Sequence, residues 1–335
     1  MSALTDMLDR FRPDEIERML GLRPASPRVT LEIDRTELAL ARFKPNRRGR
    51  PLLETCRLQP LPEPGVPASL FDQEMPEAAK LAERLGQMFD RDGARPGRVA
   101  LLLPDSVAKI SLLTLPERPP SRRQLEEAIR FKMRRAVPFR LTEAALSYQV
   151  LTGGRGPVEI LVALTRRAVV ERFEQALGSL GCRLGLVDLC TPNVLNLCRA
   201  QVEAAARDGG DVALLNCTRT YFSLVLVRAG RLIFFRCKTL AAANGASPNG
   251  ALAREVASSL SYYEEKLGGQ GLGTTLVRTV ATPFDELARQ LADLPLGRVR
   301  PVDLTDAVST VDGRRLEPEM ALRFAPILGL AAGRS

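Results

Sequence analysis

The sequence predicts an α/β fold of two similar halves with a further α/β subdomain set into the first. Three observations predict it. A β-meander followed by alternating helices and strands occurs twice, near residue 29 and again near 212. The stretch 70–165 carries strands and a helix of its own and interrupts the first of these runs. The chain has 335 residues, more than one ordinary core serves, and its 45% hydrophobic content is ample for burial.

The elements follow in order. Residues 13–20 read as a short N-terminal helix, a contact element whose apolar Met7, Leu8, Phe11, Ile16, Met19 and Leu20 alternate with five acids. Those acids oppose anionic lipid and favour packing on the protein's own body. After a Pro-broken stretch, 29–33 and 37–43 pair as strands and 52–58 adds a third. Pro60, Pro62, Pro64, Pro67 and Pro76 then exclude regular structure until a helix at 77–89. Strands at 98–103 and 109–115 precede a helix that opens on a capping box, Ser121 with Gln124. Its apolar stripe is Leu125, Ala128, Ile129, Met133 and Val137, and Pro138 ends it. The opposite face holds Arg122, Arg123, Arg130, Arg134 and Arg135, a solvated basic face or a docking surface for an acidic partner.

Strands at 146–151 and 158–164 flank a Gly153-Gly154 turn. The helix after Thr165 turns Val169, Phe173, Ala176, Leu177 and Leu180 inward and stops at Gly181. A short strand at 184–189 leads to a helix capped by Thr191, with Pro192 at its first position. The second meander occupies 212–215, 221–227 and 232–237. A polar link at 241–250 follows, then a helix at 252–267 with Val256, Leu260, Tyr263 and Leu267 on one face. A strand at 274–277 and a helix from Thr282-Pro283 to about 293 complete the half. The apolar segment 325–332 docks back into the core.

Composition excludes several chemistries. Histidine is absent, which removes Ser-His and Cys-His nucleophiles and His-containing metal sites. None of the six cysteines forms a Cys-x-x-Cys pair, so free thiols in a reducing compartment are expected. No run of about 18 apolar residues occurs, and the N-terminus lacks a signal-peptide core, so a cytoplasmic protein is expected. The net charge of +9 comes from 42 Arg and six Lys scattered among acids with few aromatics between them. That pattern suggests codon usage of a GC-rich genome rather than specific nucleic-acid binding.

The stretches 99–104, 112–116, 136–139, 147–151, 162–165, 260–263 and 324–333, taken together and in this order, resemble the PilM family of type IV pilus assembly proteins. Val99-Ala100-Leu101-Leu102-Leu103-Pro104 and Leu112-Leu113-Thr114-Leu115-Pro116 look like strands of that family's inserted subdomain. Ala136-Val137-Pro138-Phe139 and Ser147-Tyr148-Gln149-Val150-Leu151 look like its "IPF … DYQVL" run. Val162-Ala163-Leu164-Thr165, Leu260-Ser261-Tyr262-Tyr263 and the closing segment 324–333 continue the likeness. More loosely, the chain resembles FtsA and the cytoplasmic part of GspL. The resemblance implies an actin-like (ribonuclease H-like) two-lobed fold. It divides the chain into an N-terminal helix and linker (1–27) and the first half (28–70 and 183–209). The inserted subdomain with its return covers 71–182, the second half 210–317, and a C-terminal helix 318–335 returns to the first half.

The same resemblance locates three nucleotide loops, and all three are altered. The first has Glu32-Ile33-Asp34 and Arg35 where the family has Asp-Ile-Gly, and Ala39 where it has Lys. The second has Asn216-Cys217-Thr218 and Arg219 for another Asp-Ile-Gly, replacing the metal-side acid with an amide. The adenosine-side Gly-Gly is Arg278-Thr279. The Gly-rich runs 153–156 and 268–273 lack the following helix of a phosphate loop and read as turns.

The expectation is a degenerate ATPase without turnover, nucleotide or metal, serving as a scaffold in type IV pilus assembly or a related secretion machine. The resemblance implies as partners the short N-terminal peptide of a bitopic PilN-like membrane protein and other pilus assembly proteins. It places the peptide groove between the first half and the inserted subdomain, with membrane association indirect and a homodimer or polymer left open. The alternative is an ATP-binding protein whose altered loops support nucleotide-dependent assembly. There Glu32 would hold magnesium through water and Arg219 or Arg278 would contact phosphate.

Overall fold

The computed structural model describes residues 28–46, 51–93, 96–151, 156–240 and 248–333. The helix expected at 13–20, the turn at 153–154 and most of the polar link lie outside the described residues. In chain order the first half supplies β1 (Val29–Ile33), β2 (Glu37–Lys44), β3 (Leu52–Pro60), α1 (Ala78–Arg91) and β4 (Arg98–Leu103). The chain then builds β5 (Ala108–Leu115), α2 (Arg122–Met133), β6 (Ala144–Val150) and β7 (Val158–Arg166). It returns through α3 (Arg167–Ser179), β8 (Arg183–Leu189), α4 (Cys190–Leu197) and α5 (Arg199–Arg207). The second half is β9 (Asp211–Cys217), β10 (Tyr221–Arg228), β11 (Arg231–Thr239), α6 (Pro248–Leu267), β12 (Leu272–Thr279), α7 (Phe284–Gln290) and β13 (Arg298–Pro301). Helix α8 (Pro318–Ala332) closes the fold.

The two halves repeat one topology. Their sheets run β3-β2-β1-β4-β8 and β11-β10-β9-β12-β13. In each, three antiparallel strands are followed by two parallel ones. This is the two-lobed actin-like architecture. Strands β1 and β9 are buried along their whole length, as expected for central strands covered on both faces.

Strand β4 corrects one expectation. Its run Val-Ala-Leu-Leu-Leu resembles the inserted subdomain, yet it pairs in parallel with β1 and β8 inside the first-half sheet. The reason lies in its pattern: five consecutive buried residues suit a strand covered on both faces. The inserted sheet is instead β5-β7-β6, antiparallel. There β7 alternates, placing Val158, Ile160, Val162 and Leu164 in one core with Leu125, Ile129 and Met133 of α2. Each such burial contributes about 2 kcal/mol. Leu161 and Ala163 pack on the first-half core, which docks the subdomain.

Helix α8 wedges between the halves. Ala321 and Ala325 join a core with Val212, Leu214 and Val225 of the second half. Phe324, Ile327 and Leu328 join one with Ala39, Ala41 and Leu102 of the first. Gly329 permits this approach, since a Cβ there would lie 1.9 Å from the Asn193 carbonyl oxygen of α4. Two local expectations change. Thr191 lies inside α4 rather than capping it, and α7 ends at Gln290 without a side-chain cap from Thr282.

Candidate functional site

The C-terminal ends of β1, β9 and β12 meet in the cleft between the halves. Each of the three altered loops is closed by one of its own side chains. After β1, the Asp34 carboxylate accepts from the backbone amides of Thr36 (2.6 Å) and Glu37 (2.8 Å) and from the Thr36 hydroxyl (3.0 Å). A side-chain anion therefore takes the turn's own amides. After β9, the Thr218 hydroxyl accepts from the amides of Thr220 (3.3 Å) and Tyr221 (3.1 Å) and donates to the Tyr221 carbonyl. After β12, the Thr279 hydroxyl donates to the Thr282 carbonyl at 2.8 Å and accepts from the Thr282 amide at 3.4 Å.

Arg278 fills the space between these loops. It is 1% exposed. Its Nη1 donates to Asn216 Oδ1 at 2.7 Å, its Nε to the Leu322 carbonyl at 2.7 Å and its Nη2 to the Arg323 carbonyl at 3.2 Å. Asn216 and Arg278 are direct partners across β9 and β12, which aligns the first contact. The second has a covalent cause. Pro326, inside α8, has no N–H to give the carbonyl four residues before it, and that carbonyl belongs to Leu322. Arg278 supplies the missing donor. Burial lowers the affinity of this guanidinium for its proton, and neighbouring Glu32 opposes that effect.

The network continues into the first half. Asn216 Nδ2 donates to the Thr191 hydroxyl at 2.6 Å. The Thr191 amide donates to Asp105 at 3.2 Å, and the Ser223 hydroxyl donates to the same carboxylate at 2.6 Å. Asp105, at the end of β4, thus caps the start of α4 from a distant part of the chain. It is fully buried, and desolvation raises its carboxyl above the ordinary value despite these donors.

From α8, Arg323 donates Nη1 to Glu32 at 2.8 Å and Nε to Glu37. Burial opposes its charge, but Glu32 and Glu37 hold the guanidinium protonated well above the usual range. The space left among Glu32, Asp34, Thr218, Arg219, Arg278 and Arg323 is about 10 Å³, comparable to one water. The thiols nearby are inert: burial pushes Cys217 and Cys198 up to about 12 and Cys190 well above its usual value.

Of the sequence-predicted site residues, Glu32, Asp34, Thr218, Arg219 and Arg278 line this cleft and Asn216 touches it through Arg278. Thr279 closes the third loop. Arg35 is not among the lining residues. Ala39 lies opposite Glu32 on β2 and is sealed in the core with Phe324, where no long cation would fit. Sequence reasoning missed Glu37, Asp105, Thr191, Ser223 and Arg323. One signal was present: an arginine within the otherwise apolar run 320–332 needs a buried partner.

A second concavity, of about 530 Å³, lies on the inserted subdomain beside the loop that carries Gln73. Val137, Pro138 and Phe139 give it an apolar wall, with Arg134, Arg140, Arg166 and Glu143 around it. The Arg166 guanidinium stacks 4.2 Å from the Phe139 ring centre and donates to the Leu70 carbonyl at 3.0 Å. Among the described residues, no group of three His, Cys, Asp or Glu side chains could hold a metal. No described helix is long and apolar enough to cross a membrane.

Comparison with solved structures gives, first, a chain of the PilM-PilN type IV pilus biogenesis complex. It superposes with a TM-score of 0.72 at 21% identity, over 92% of this chain and 98% of that one. The cytoplasmic domain of EpsL, an inner membrane component of the type II secretion system of Vibrio cholerae, gives a TM-score of 0.47 at 13% identity, over 90% and 94%. The ethanolamine utilization protein EutJ from Carboxydothermus hydrogenoformans gives 0.44 at 11%, over 95% and 98%. No curated protein matches. The family profile described as type IV pilus assembly protein PilM covers residues 31–293. With that profile over most of the chain, the protein belongs to the PilM family of type IV pilus assembly proteins.

Proposed function

We propose that the protein is a non-catalytic scaffold of type IV pilus assembly whose ligand is a peptide, not a nucleotide. The observation that carries this reading is the filled cleft. Phosphate binding at such loops needs free backbone amides and glycine-like space. Here Asp34 and Thr218 already accept the amides of their own turns, and Arg278 occupies the middle. A magnesium nucleotide does not fit these residues. Asn216 uses its amide on Arg278 and Thr191, Glu32 is paired with Arg323, and about 10 Å³ is far below a ligand cleft's usual 300–1,000 Å³. The alternative with altered loops would require Glu32 and Arg278 to leave buried partners first.

The groove beside Phe139, at about 530 Å³, lies within the usual range for a ligand site. Its apolar wall suits short aliphatic side chains of an extended peptide, and its arginines suit backbone carbonyls or a carboxylate. The solved relative comes from a PilM-PilN complex. By this reading the groove takes the N-terminal cytoplasmic segment of a PilN-like bitopic protein, and that partner ties the scaffold to the inner face of the cytoplasmic membrane. Isothermal calorimetry with synthetic peptides copying the N-termini of co-encoded bitopic proteins tests this. One peptide is expected to bind in the micromolar range and to lose at least about tenfold in affinity with Phe139→Ser, the loss of one buried aromatic anchor. No heat from any candidate would sink the reading.

A further inference from the structure

The C-terminal end of α2 and the turn after it carry a feature that, apart from Arg134 at the groove's edge, neither the cleft nor the groove uses. Phe131 is 72% exposed, the most exposed large hydrophobic residue among those described. It lies two positions beyond Ile129, which is fully buried, and so about 200° round the helix from the core-facing stripe. The ring therefore stands at the outermost point of the subdomain's helix. Cations flank it on both sides: Arg130 and Arg134 on one, Lys132 and Arg135 on the other, all exposed. The Arg134 guanidinium lies 5.6 Å from the ring centre. No acid occurs from 128 to 142. The two acids earlier on the helix, Glu126 and Glu127, are paired with Arg122 and Arg123. Among the described residues, Lys132 and Arg135 form no ion pair. Phe71, 63% exposed, is a second protruding ring, and it follows Leu70, which packs in the same core as α2.

We propose that this convex end of α2 rests directly on an anionic phospholipid surface, with Phe131 entering the headgroup region and the surrounding cations meeting lipid phosphates. Three features select a bilayer over other acidic partners. The patch is convex, whereas a peptide seat is concave. Its apolar element at the end of α2, the Phe131 ring, protrudes with positive charge around it, the arrangement that suits a membrane interface. The charge excess is unmatched, and each cation near an anionic membrane adds about 1 kcal/mol, or roughly fivefold in partitioning. Arg130, Phe131, Lys132 and Arg135 lie outside the groove lining, so the proposal stands apart from the peptide reading.

Flotation of the full chain with lipid vesicles tests it. Vesicles of pure phosphatidylcholine are compared with vesicles containing about one third phosphatidylglycerol. The protein is expected to partition to the anionic vesicles at least about tenfold more strongly, and to be released by salt. Lys132→Glu with Arg135→Glu should lower that partitioning by at least about tenfold, and Phe131→Ser should lower it several-fold. Both variants should keep the wild-type melting temperature and peptide affinity. Equal binding to both vesicles, or anionic binding untouched by the double charge reversal, would overturn the proposal. So would indifference to vesicles combined with Lys132/Arg135-dependent retention on poly-glutamate, which would assign the patch to an acidic protein.

Discussion

The cleft and the groove use the same side chains to opposite ends. Around the cleft, Arg278 and Arg323 meet Asn216, Glu32, Glu37 and two helix carbonyls, so both of these guanidinium groups answer groups of the same chain. Around the groove, Arg134, Arg140 and Arg166 face one acid, Glu143, and an apolar wall. The first arrangement is closed on itself and leaves about 10 Å³; the second leaves about 530 Å³. The difference shows how arginines of the chain itself tie the two lobes across the cleft, through Arg278 to the closing helix and Arg323 to β1 and β2.

The largest expected effect comes from breaking the cleft. Arg278→Ala leaves the Asn216, Leu322 and Arg323 oxygens without this donor in a buried site. Chemical denaturation should show a loss on the order of 3–5 kcal/mol. A loss below about 1 kcal/mol would mean that water serves those carbonyls as well. Arg323→Ala comes next, because it strands Glu32, whose side chain is 7% exposed. It should cost about 3 kcal/mol, and adding Glu32→Gln should restore part of it.

Asp105 gives a smaller, pH-dependent effect. Its folded carboxyl is raised above the ordinary 3.8, chiefly by burial, so the folded state holds the proton more tightly than the unfolded chain. Its contribution therefore makes stability fall as pH rises from about 3.8 through the folded value. Asp105→Asn should flatten that part of the profile and keep most of the stability at neutral pH, since the Ser223 hydroxyl can turn to accept. Asp105→Ala, which leaves the Thr191 amide and Ser223 hydroxyl unanswered, should cost about 1–3 kcal/mol. Smallest is Arg140→Ala in the groove. Stability should change by less than about 0.5 kcal/mol, while peptide affinity falls. A stability loss like that of Arg278→Ala would erase the contrast between the two sites.

Much of the fold was legible because its signals are local. Ser121 accepts from the Gln124 amide as its capping position requires, and Leu125, Ile129 and Met133 form the buried stripe their spacing predicts. The repeated meander was legible for the same reason. Strand β4 was misassigned because its apolar run fits any central strand, and only the pairing with β1 settles which sheet holds it. The short strand β13, Arg298–Pro301, escaped notice because a charged edge strand carries no apolar alternation. The altered loop residues were visible as substitutions, but their replacements' roles were not. That Asp34 takes its own turn's amides is a matter of local geometry. That Arg323 reaches Glu32 depends on a contact spanning 291 residues of sequence, and no periodicity encodes it.

Isothermal calorimetry of the full chain with magnesium and ATP tests the central claim most directly. With Asp34, Thr218 and Arg278 holding the loop amides and the cleft centre, no binding heat is expected at millimolar nucleotide. A saturable, magnesium-dependent heat with one nucleotide per chain, abolished by substitution of Glu32 or Arg219, would contradict the account.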